Sequence, residues 1–418
     1  MSAIGFISTR IAGTDGVSHE IEKWAAILER NGHACFYCAG ESDRPRDRSF
    51  IIDEAHFGHP DIAAINNGVF GRVARTRGMT RLIHDAASRI REGLERFITT
   101  HRIDCIVAEN SLTIPMNIPL GIALTELIAE TGMPTVAHHH DFAWERERFL
   151  VNGVADYIQM AFPPALPSIR HVVINSLAEV SLAHRRGVSS TVIPNTFDFD
   201  NPPGPSDPEL IASIRKAAGI EPGDYLVLQP TRVVPRKSIE RSIDLVDRLP
   251  RAGRKLVISH PSGDEGEEYR ARLEEYARMR NVRIEYIDHV VSTGRASGER
   301  PFTIADVYRA ADLVTYPSAC EGFGNAFLET LYFKKPIVMN RYPVFIADIE
   351  PLGFDLCLFD GFITEGTVEE VRGVLEDGER RSRMAEKNYV IAREHFSYAL
   401  LERLVTGVMA GLTPRSPA

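Results

Sequence analysis

Short runs of consecutive apolar residues alternate with longer stretches whose apolar positions recur three and four apart, from one end of the chain to the other. Unbroken apolar runs suit strands buried on both faces, and the wider spacing suits helices laid against a sheet. The alternation therefore predicts parallel sheets covered by helices on both sides. In the first half AIGFIST, GHACFYCAG, IDCIVAE, MPTVAHH, HVVINS and SSTVIPN read as strands. VSHEIEKWAAILERNG reads as an amphipathic helix closed by Gly32, and IPLGIALTELIAETG as a second helix.

The pattern stops at DFDNPPGPSDPEL, where prolines, a glycine and acidic residues continue neither a strand nor a helix. Beyond it the alternation restarts. DYLVLQP, RKLVISH, VRIEYID, DLVTYPS and KPIVMNR read as strands, with SIERSIDLVDRL, EEYRARLEEYARMR, TIADVYRAAD and GNAFLETLYF as helices between them. The expected organisation is a domain over residues 1–200, a linker over 201–210 and a second α/β domain over 211–390. Two such doubly wound domains imply a cleft, with ligands at the carboxyl ends of the strands.

Bulk properties narrow the function. At 418 residues, two domains are the natural expectation. A formal charge of -9 excludes the broad positive field of a nucleic-acid binder, though not a local basic pocket for one phosphorylated ligand. No apolar run is long enough to cross a bilayer, and MSAIGFISTR lacks the basic start of a secretory signal, so a cytoplasmic protein is expected. A peripheral membrane contact and a homodimer both stay open. The five scattered cysteines read as reduced thiols. Cys35 and Cys38 form a C-x-x-C, but three residues apart on a strand they would lie roughly 10 Å apart on opposite faces. That is too far for a disulfide.

The richest stretch is YPSACEGFGNAFLETLYFKKPIVMNR, Tyr316 to Arg341. A strand ends, Pro317 and Ser318 turn the chain, and Glu321-Gly322-Phe323-Gly324 opens a helix at Asn325. Glycines let a ligand approach the backbone, and a helix start offers free N–H groups to a phosphate or a sugar hydroxyl. Glu329 lies two turns deeper, roughly 12 Å along the axis at 1.5 Å per residue, so the two glutamates could grip separate parts of one elongated ligand. Each glutamate alone has a plainer reading, as a dipole-favoured acid or a solvent-facing helix residue. Earlier, Arg232 and Lys237 follow a strand and precede a helix, where fixed cations could offset a leaving diphosphate's charge. Arg236 reads as an extra that faces solvent.

These strings resemble family 4 of the retaining glycosyltransferases of GT-B fold: an E-x7-E from Glu321 to Glu329 with Gly-Phe-Gly after the first glutamate, then a strand opening at Lys335-Pro336, and an R-x4-K at Arg232 and Lys237. The resemblance implies an architecture of two Rossmann-like domains facing an interdomain cleft, donor on the second and acceptor on the first. It implies a retaining hexosyltransferase using a UDP- or GDP-sugar, with no metal and no cofactor beyond that substrate. Glu321 would contact donor-sugar hydroxyls and Glu329 the ribose, with Gly322, Phe323, Gly324 and Asn325 completing the donor site. REHFSYALLERLV resembles the family's closing helix, so residues 391–418 are expected to cross back to the first domain.

Weaker matches lie in the first half. IAGTDG stands where the family has a glycine-rich loop facing diphosphate and acceptor; Thr14, Asp15 and Gly16 are the candidates, Gly16 foremost, although the usual paired glycines are replaced by Gly13 and Gly16. PTVAHHHDF resembles the family's strand-end histidine, which implies that His140 helps hold sugar and acceptor. PNTFD resembles the turn that ends the first domain. His139, Trp144, Arg146 and Arg148, in HHHDFAWERERF, are acceptor candidates: a ring face for stacking and arginines for a phosphate. An amphipathic helix with Trp144 and Phe149 in the core is the equal alternative. The tract also resembles that of transferases that mannosylate glucosylglycerate or its phosphate.

His138 and His140 share a strand face and could hold a metal, but no cysteine or third histidine stands at convincing spacing, so none is expected. Asp198-Phe199-Asp200 reads as a solvated turn. A disaccharide phosphorylase of the same scaffold, and a nucleotide-sugar epimerase or binding module, remain as rivals.

Overall fold

The computed structural model describes residues 2–13, 15–249, 253–261, 267–292 and 302–412. The chain divides into two compact units, Met1–Pro194 with Glu402–Ala418, and Asn195–Leu401. The first is built on a parallel sheet of β1 (Ala3–Ile7), β2 (Ala34–Ala39), β3 (Ser49–Ile51), β4 (Cys105–Glu109), β5 (Thr135–His139), β6 (Ile169–Val173) and β7 (Ser190–Val192). Their spatial order is β3-β2-β1-β4-β5-β6-β7. The second carries β8 (Val227–Gln229), β9 (Lys255–Ile258), β10 (Arg283–Tyr286), β13 (Leu313–Tyr316), β14 (Ile337–Asn340) and β15 (Cys357–Phe359), in the order β10-β9-β8-β13-β14-β15. A two-residue pair, β11 (Val291–Ser292) with β12 (Phe302–Thr303), stands apart from that sheet.

Each sheet is an α/β doubly wound fold of the Rossmann kind. Strand order reverses between β1 and β4 in one unit and between β8 and β13 in the other, and the chain ends leaving those strands diverge to opposite faces. Wherever a crevice is to form, it forms there. The strands are buried on both faces, β4 and β5 at every position, which is why they read as unbroken apolar runs.

Local chemistry sets several boundaries. Asp15, Asn117 and Asn175 each cap a following helix by accepting backbone N–H groups. The stretch read as linker ends sooner than expected: Asp207 caps a helix Pro208–Ala217, and proline is favoured in a first turn because its missing N–H is not needed there. The long helix Arg77–His101 went unassigned in the sequence, although Ile83, Ala86, Ile90, Leu94 and Phe97 form its buried stripe. REHFSYALLERLV is two helices, not one. Gly378–Phe396 stops at Ser397, whose extended backbone and Oγ, accepting the Leu400 N–H, start Tyr398–Ala410.

The boundary near residue 200 also shifts. Asn195 to Asn201 belong with the second unit: Phe197 N–H donates to Phe396 O, Tyr389 to Phe199 O and Tyr332 to Asn201 O. From Glu402 onward the chain belongs with the first unit, where Arg30 pairs with Glu402. Cys35 and Cys38 are free and buried in β2, and burial pushes the Cys35 thiol up to about 12. Among the described residues no helix is long and apolar enough to cross a membrane.

Candidate active site

In the second unit, β8 leaves the sheet at Gln229. This fully buried amide accepts hydrogen bonds from Ser242 and Thr315 and donates to Thr231, each at 2.8 Å, so it fastens the β8 exit to β13 and to the next helix. The chain then makes one tight turn over Pro235–Lys237. Across the strand reversal, Ala319 N–H donates to Arg236 O at 3.0 Å, clipping the loop after β13 to the loop after β8.

The clip brings Arg236, Lys237 and Glu321 together. The buried Lys237 ammonium donates to Glu321 Oε1, and Arg236 Nη1 donates to Oε2 at 2.9 Å. Arg236 therefore does not simply face solvent, as the sequence suggested; the turn between it and Lys237 aims both at one carboxylate. Burial alone would raise the Glu321 carboxyl, but the two cations outweigh it and hold it below the usual range. Burial lowers Lys237, against the pull of Glu321. Arg232 is exposed on the same loop, and its charge, like that of Lys237, reaches His260 at the end of β9. Burial first, then those cations, bring His260 down to about 4, opposed by Asp288 beyond β10. His260 and Asp288 were missed in the sequence. Neither lies in a motif, and only the strand order places them at the same sheet edge.

Gly322 and Phe323 lead into Gly324, whose φ of 124° is left-handed, as only glycine readily permits. A Cβ there would stand 2.8 Å from the Tyr342 hydroxyl, which itself donates to Phe323 O. Asn325 starts the helix Asn325–Tyr332 and accepts from Asn195 Nδ2 at 2.7 Å. Glu329 is half-buried beside Tyr308, whose hydroxyl is pushed well up by burial and then by that carboxylate.

In the first unit, the loop after β1 is held from within. Asp15 accepts from Val17 and Ser18 N–H and pairs with Arg10 at 3.1 Å, so it serves as a helix cap. Gly13, at φ 77°, takes the left-handed position and donates its N–H to Asp43; Gly16, favoured by the sequence, is the first helical residue. Thr14 lies outside the described residues.

The strand register does what the sequence could not. Glu109 and His138 are opposite partners on β4 and β5, and His140 lies two residues on, on the same side. Glu109 is fully buried and accepts from His138 Nδ1 at 2.9 Å and His140 Nε2 at 2.5 Å. Burial opposes its charge, yet the imidazoles win and bring its carboxyl down to about 2. Burial disfavours a charged His140, but Glu109, with Glu20 and Asp141 behind it, raises its value overall. The three donor atoms lie within 4.8 Å, a grouping a metal could use. However, the 2.5 and 2.9 Å separations are those of hydrogen bonds, whereas ligands of one ion stand roughly 3 Å or more apart. The residues present fit a proton better than a metal.

His139 faces the other way and is 1% exposed, between Thr113 Oγ1 at 2.7 Å and His171 Nδ1 at 2.9 Å. Alternation along the strand buries it, so it is a core histidine and not an acceptor contact. Burial holds its value well below the ordinary one. Trp144 is partly buried, stacks on Phe142 and donates Nε1 to Ser181; Arg146 pairs with Asp141; Phe149 is in the core; Arg148 is exposed over the Phe149 ring. Asp200 accepts the Ala399 N–H and Asp198 accepts from Asn201, so neither turn aspartate is spare.

A family profile described as glycosyl transferases group 1 matches residues 211–390. The mannosylglucosylglycerate synthase of Thermotoga maritima is 32% identical, over 96% of this chain and 98% of that protein. The enzyme of the same name from Petrotoga mobilis is also 32% identical, over 84% and 85%. HepE of Anabaena, solved with UDP-glucose, shares the fold at a TM-score of 0.68 and 15% identity, covering 99% of this chain and all of that one. Sucrose-phosphate synthase of Thermosynechococcus elongatus does so at 0.68 and 14%, covering 99% of each.

Proposed function

The chain belongs to the group 1 glycosyltransferases, and from that premise we propose that it is a retaining, metal-independent hexosyltransferase acting on a small glycoside acceptor. The observation that carries this reading is the buried cluster at the β8–β13 reversal. Two cations, Lys237 and Arg236, converge on one carboxylate, Glu321, with Arg232 beside them, so the loop keeps an excess of positive charge. A nucleoside diphosphate leaving group gains negative charge as the glycosidic bond breaks. Lys237 and Arg232, with the leading amides of the helix Asn325–Tyr332, supply fixed positive charge of the kind a metal supplies elsewhere.

Glu321, ionised and held from behind by Arg236, offers carboxylate oxygens to sugar hydroxyls, and Glu329 lies far enough along the helix for the ribose. Retention follows if the acceptor attacks on the face the diphosphate leaves, with a departing phosphate oxygen taking the acceptor's proton. The names of the two bacterial relatives point to mannosyl transfer onto glucosylglycerate.

Thermal unfolding in the presence of UDP, GDP and ADP, each with EDTA, tests the core of this. One of the first two is expected to raise Tm by several degrees despite the chelator. No response to any nucleotide would overturn the reading, and a response abolished by EDTA would overturn its metal independence. Product from nucleotide-linked mannose and glucosylglycerate, with its anomeric configuration read by NMR, tests the acceptor and retention.

A further inference from the structure

The first unit keeps a carboxylate where a strand end could hold an apolar side chain. Glu109 is fully buried, and burying a charge is costly unless it is paired. Among the described residues its ion-pair partners are two imidazoles, His138 and His140. Either ring can donate an N–H to the carboxylate, and the pairing is strongest when one of the two rings carries an extra proton that balances the buried charge. Of the two histidines, His138 is 2% exposed at the side chain and packs on Trp24, whereas His140 retains 14% and sits where β5 opens into its loop. The arrangement therefore leads from a buried anion to one partly accessible ring.

We propose that Glu109 is a positioning residue for the transfer: its hydrogen bond to His140 Nε2 fixes that ring's orientation and keeps it protonated, so that Nδ1 is offered as a charged donor to a hydroxyl of the sugar substrate. The inference rests on the transferase reading above. A charge-assisted N–H to a neutral hydroxyl is shorter and stronger than a neutral one. The surroundings suit a hydroxyl better than an anion. Besides Glu109 and His138, the groups facing His140 are Glu20, from the helix Gly16–Arg30 and paired with Lys23, and Asp141, paired with Arg146. On the far side of the strand His139 is held well below the ordinary histidine value, first by burial and then by the neighbouring histidines. Glu20 and Asp141 are each balanced by their own cation, so Glu109 is the carboxylate that chiefly sustains the imidazolium, and no spare cation is added for a phosphate. The register that makes the pair is plain: Glu109 ends β4, Asn110 turns away at φ 56°, and its Oδ1 accepts the His140 N–H at 3.3 Å.

The test is E109Q, which keeps the shape and one acceptor oxygen but removes the charge. In the substrate-free protein, NMR titration of the His140 ring is expected above the ordinary histidine value, and clearly lower in E109Q. Turnover of E109Q is expected to fall roughly tenfold at pH 8, mainly in kcat, and to approach wild type near pH 5.5. H140Q should lose activity equally across that range. E109D, which keeps the charge, should restore the raised titration and guards against a folding defect in E109Q. An unchanged His140 titration, or an E109Q loss equal at every pH, overturns the proposal. The titration needs no substrate, so it answers for the pair by itself; failure of the transferase reading would show separately, as the absence of any nucleotide-dependent rise in Tm.

Discussion

The two strand reversals share one topology and each holds a glutamate between two partners, but the partners differ in kind. At β8–β13 the chemistry is cationic: Lys237 and Arg236 meet at Glu321, with Arg232 and His260 nearby. At β1–β4 it is acidic with titratable rings: Glu109, His138 and His140, with Glu20 and Asp141 behind. A Rossmann-like sheet supplies only the place, and the residues at the strand ends decide what is bound there. One end surrounds its glutamate with permanent cations, the other with titratable imidazoles.

The comparison can be broken most forcefully at Lys237. Lys237→Ala is expected to lower kcat by about a hundred- to a thousandfold, as loss of one fixed stabilising donor does, with the circular dichroism of the folded chain retained. Near-normal turnover would remove the cationic end from the chemistry. Gly324→Ala should follow, costing about 1–3 kcal/mol of stability in a denaturant titration, because a side chain must there adopt a left-handed backbone against the Tyr342 hydroxyl. The acidic end should show in the pH dependence of stability. Glu109 titrates near 2 in the fold against an ordinary 4.5, so its contribution is present above 4.5 and lost as pH falls towards 2. His140, raised, contributes fully below its ordinary 6.5 and loses that contribution as pH rises through its folded value. E109Q should therefore flatten the fall of Tm between pH 5 and 3. Smallest of all, Arg148→Ala, on an exposed side chain, should change stability by less than about 0.5 kcal/mol. Any marked rise in acceptor KM in that variant would make Arg148 part of the acceptor contact.

Legibility in the sequence followed how far apart the cooperating residues lie. Glu321 and Glu329 sit on one strand–turn–helix segment, and Lys237 on another, so a local resemblance to a known family's strings was enough to single them out. Arg236 was misjudged because a three-residue turn, and not an alternating strand, sets its direction. The αβ alternation and both sheets were legible from period, yet the helix Arg77–His101 was passed over although its buried stripe is regular. Glu109 was invisible for a better reason. Nothing within β4 distinguishes it, and its role exists only once β5 lies alongside in a register 29 residues away. Likewise His139 and His140 are adjacent in sequence, and only the pleat sends one into the core and leaves the other at the rim.

Gln229 carries no charge, yet the spacing of the charges depends on it. Its amide fastens three buried hydroxyl-bearing residues, on the exit of β8, on the next helix and on β13. A leucine there would pack a similar volume but remove the amide that ties the exit of β8 to β13, leaving Thr315 only its bond to Leu228 O and Ser242 without this partner, so the loops that carry the lysine and the glutamate would lose a shared anchor. Engineering of the donor preference must therefore leave this neutral keystone in place and work outward from it.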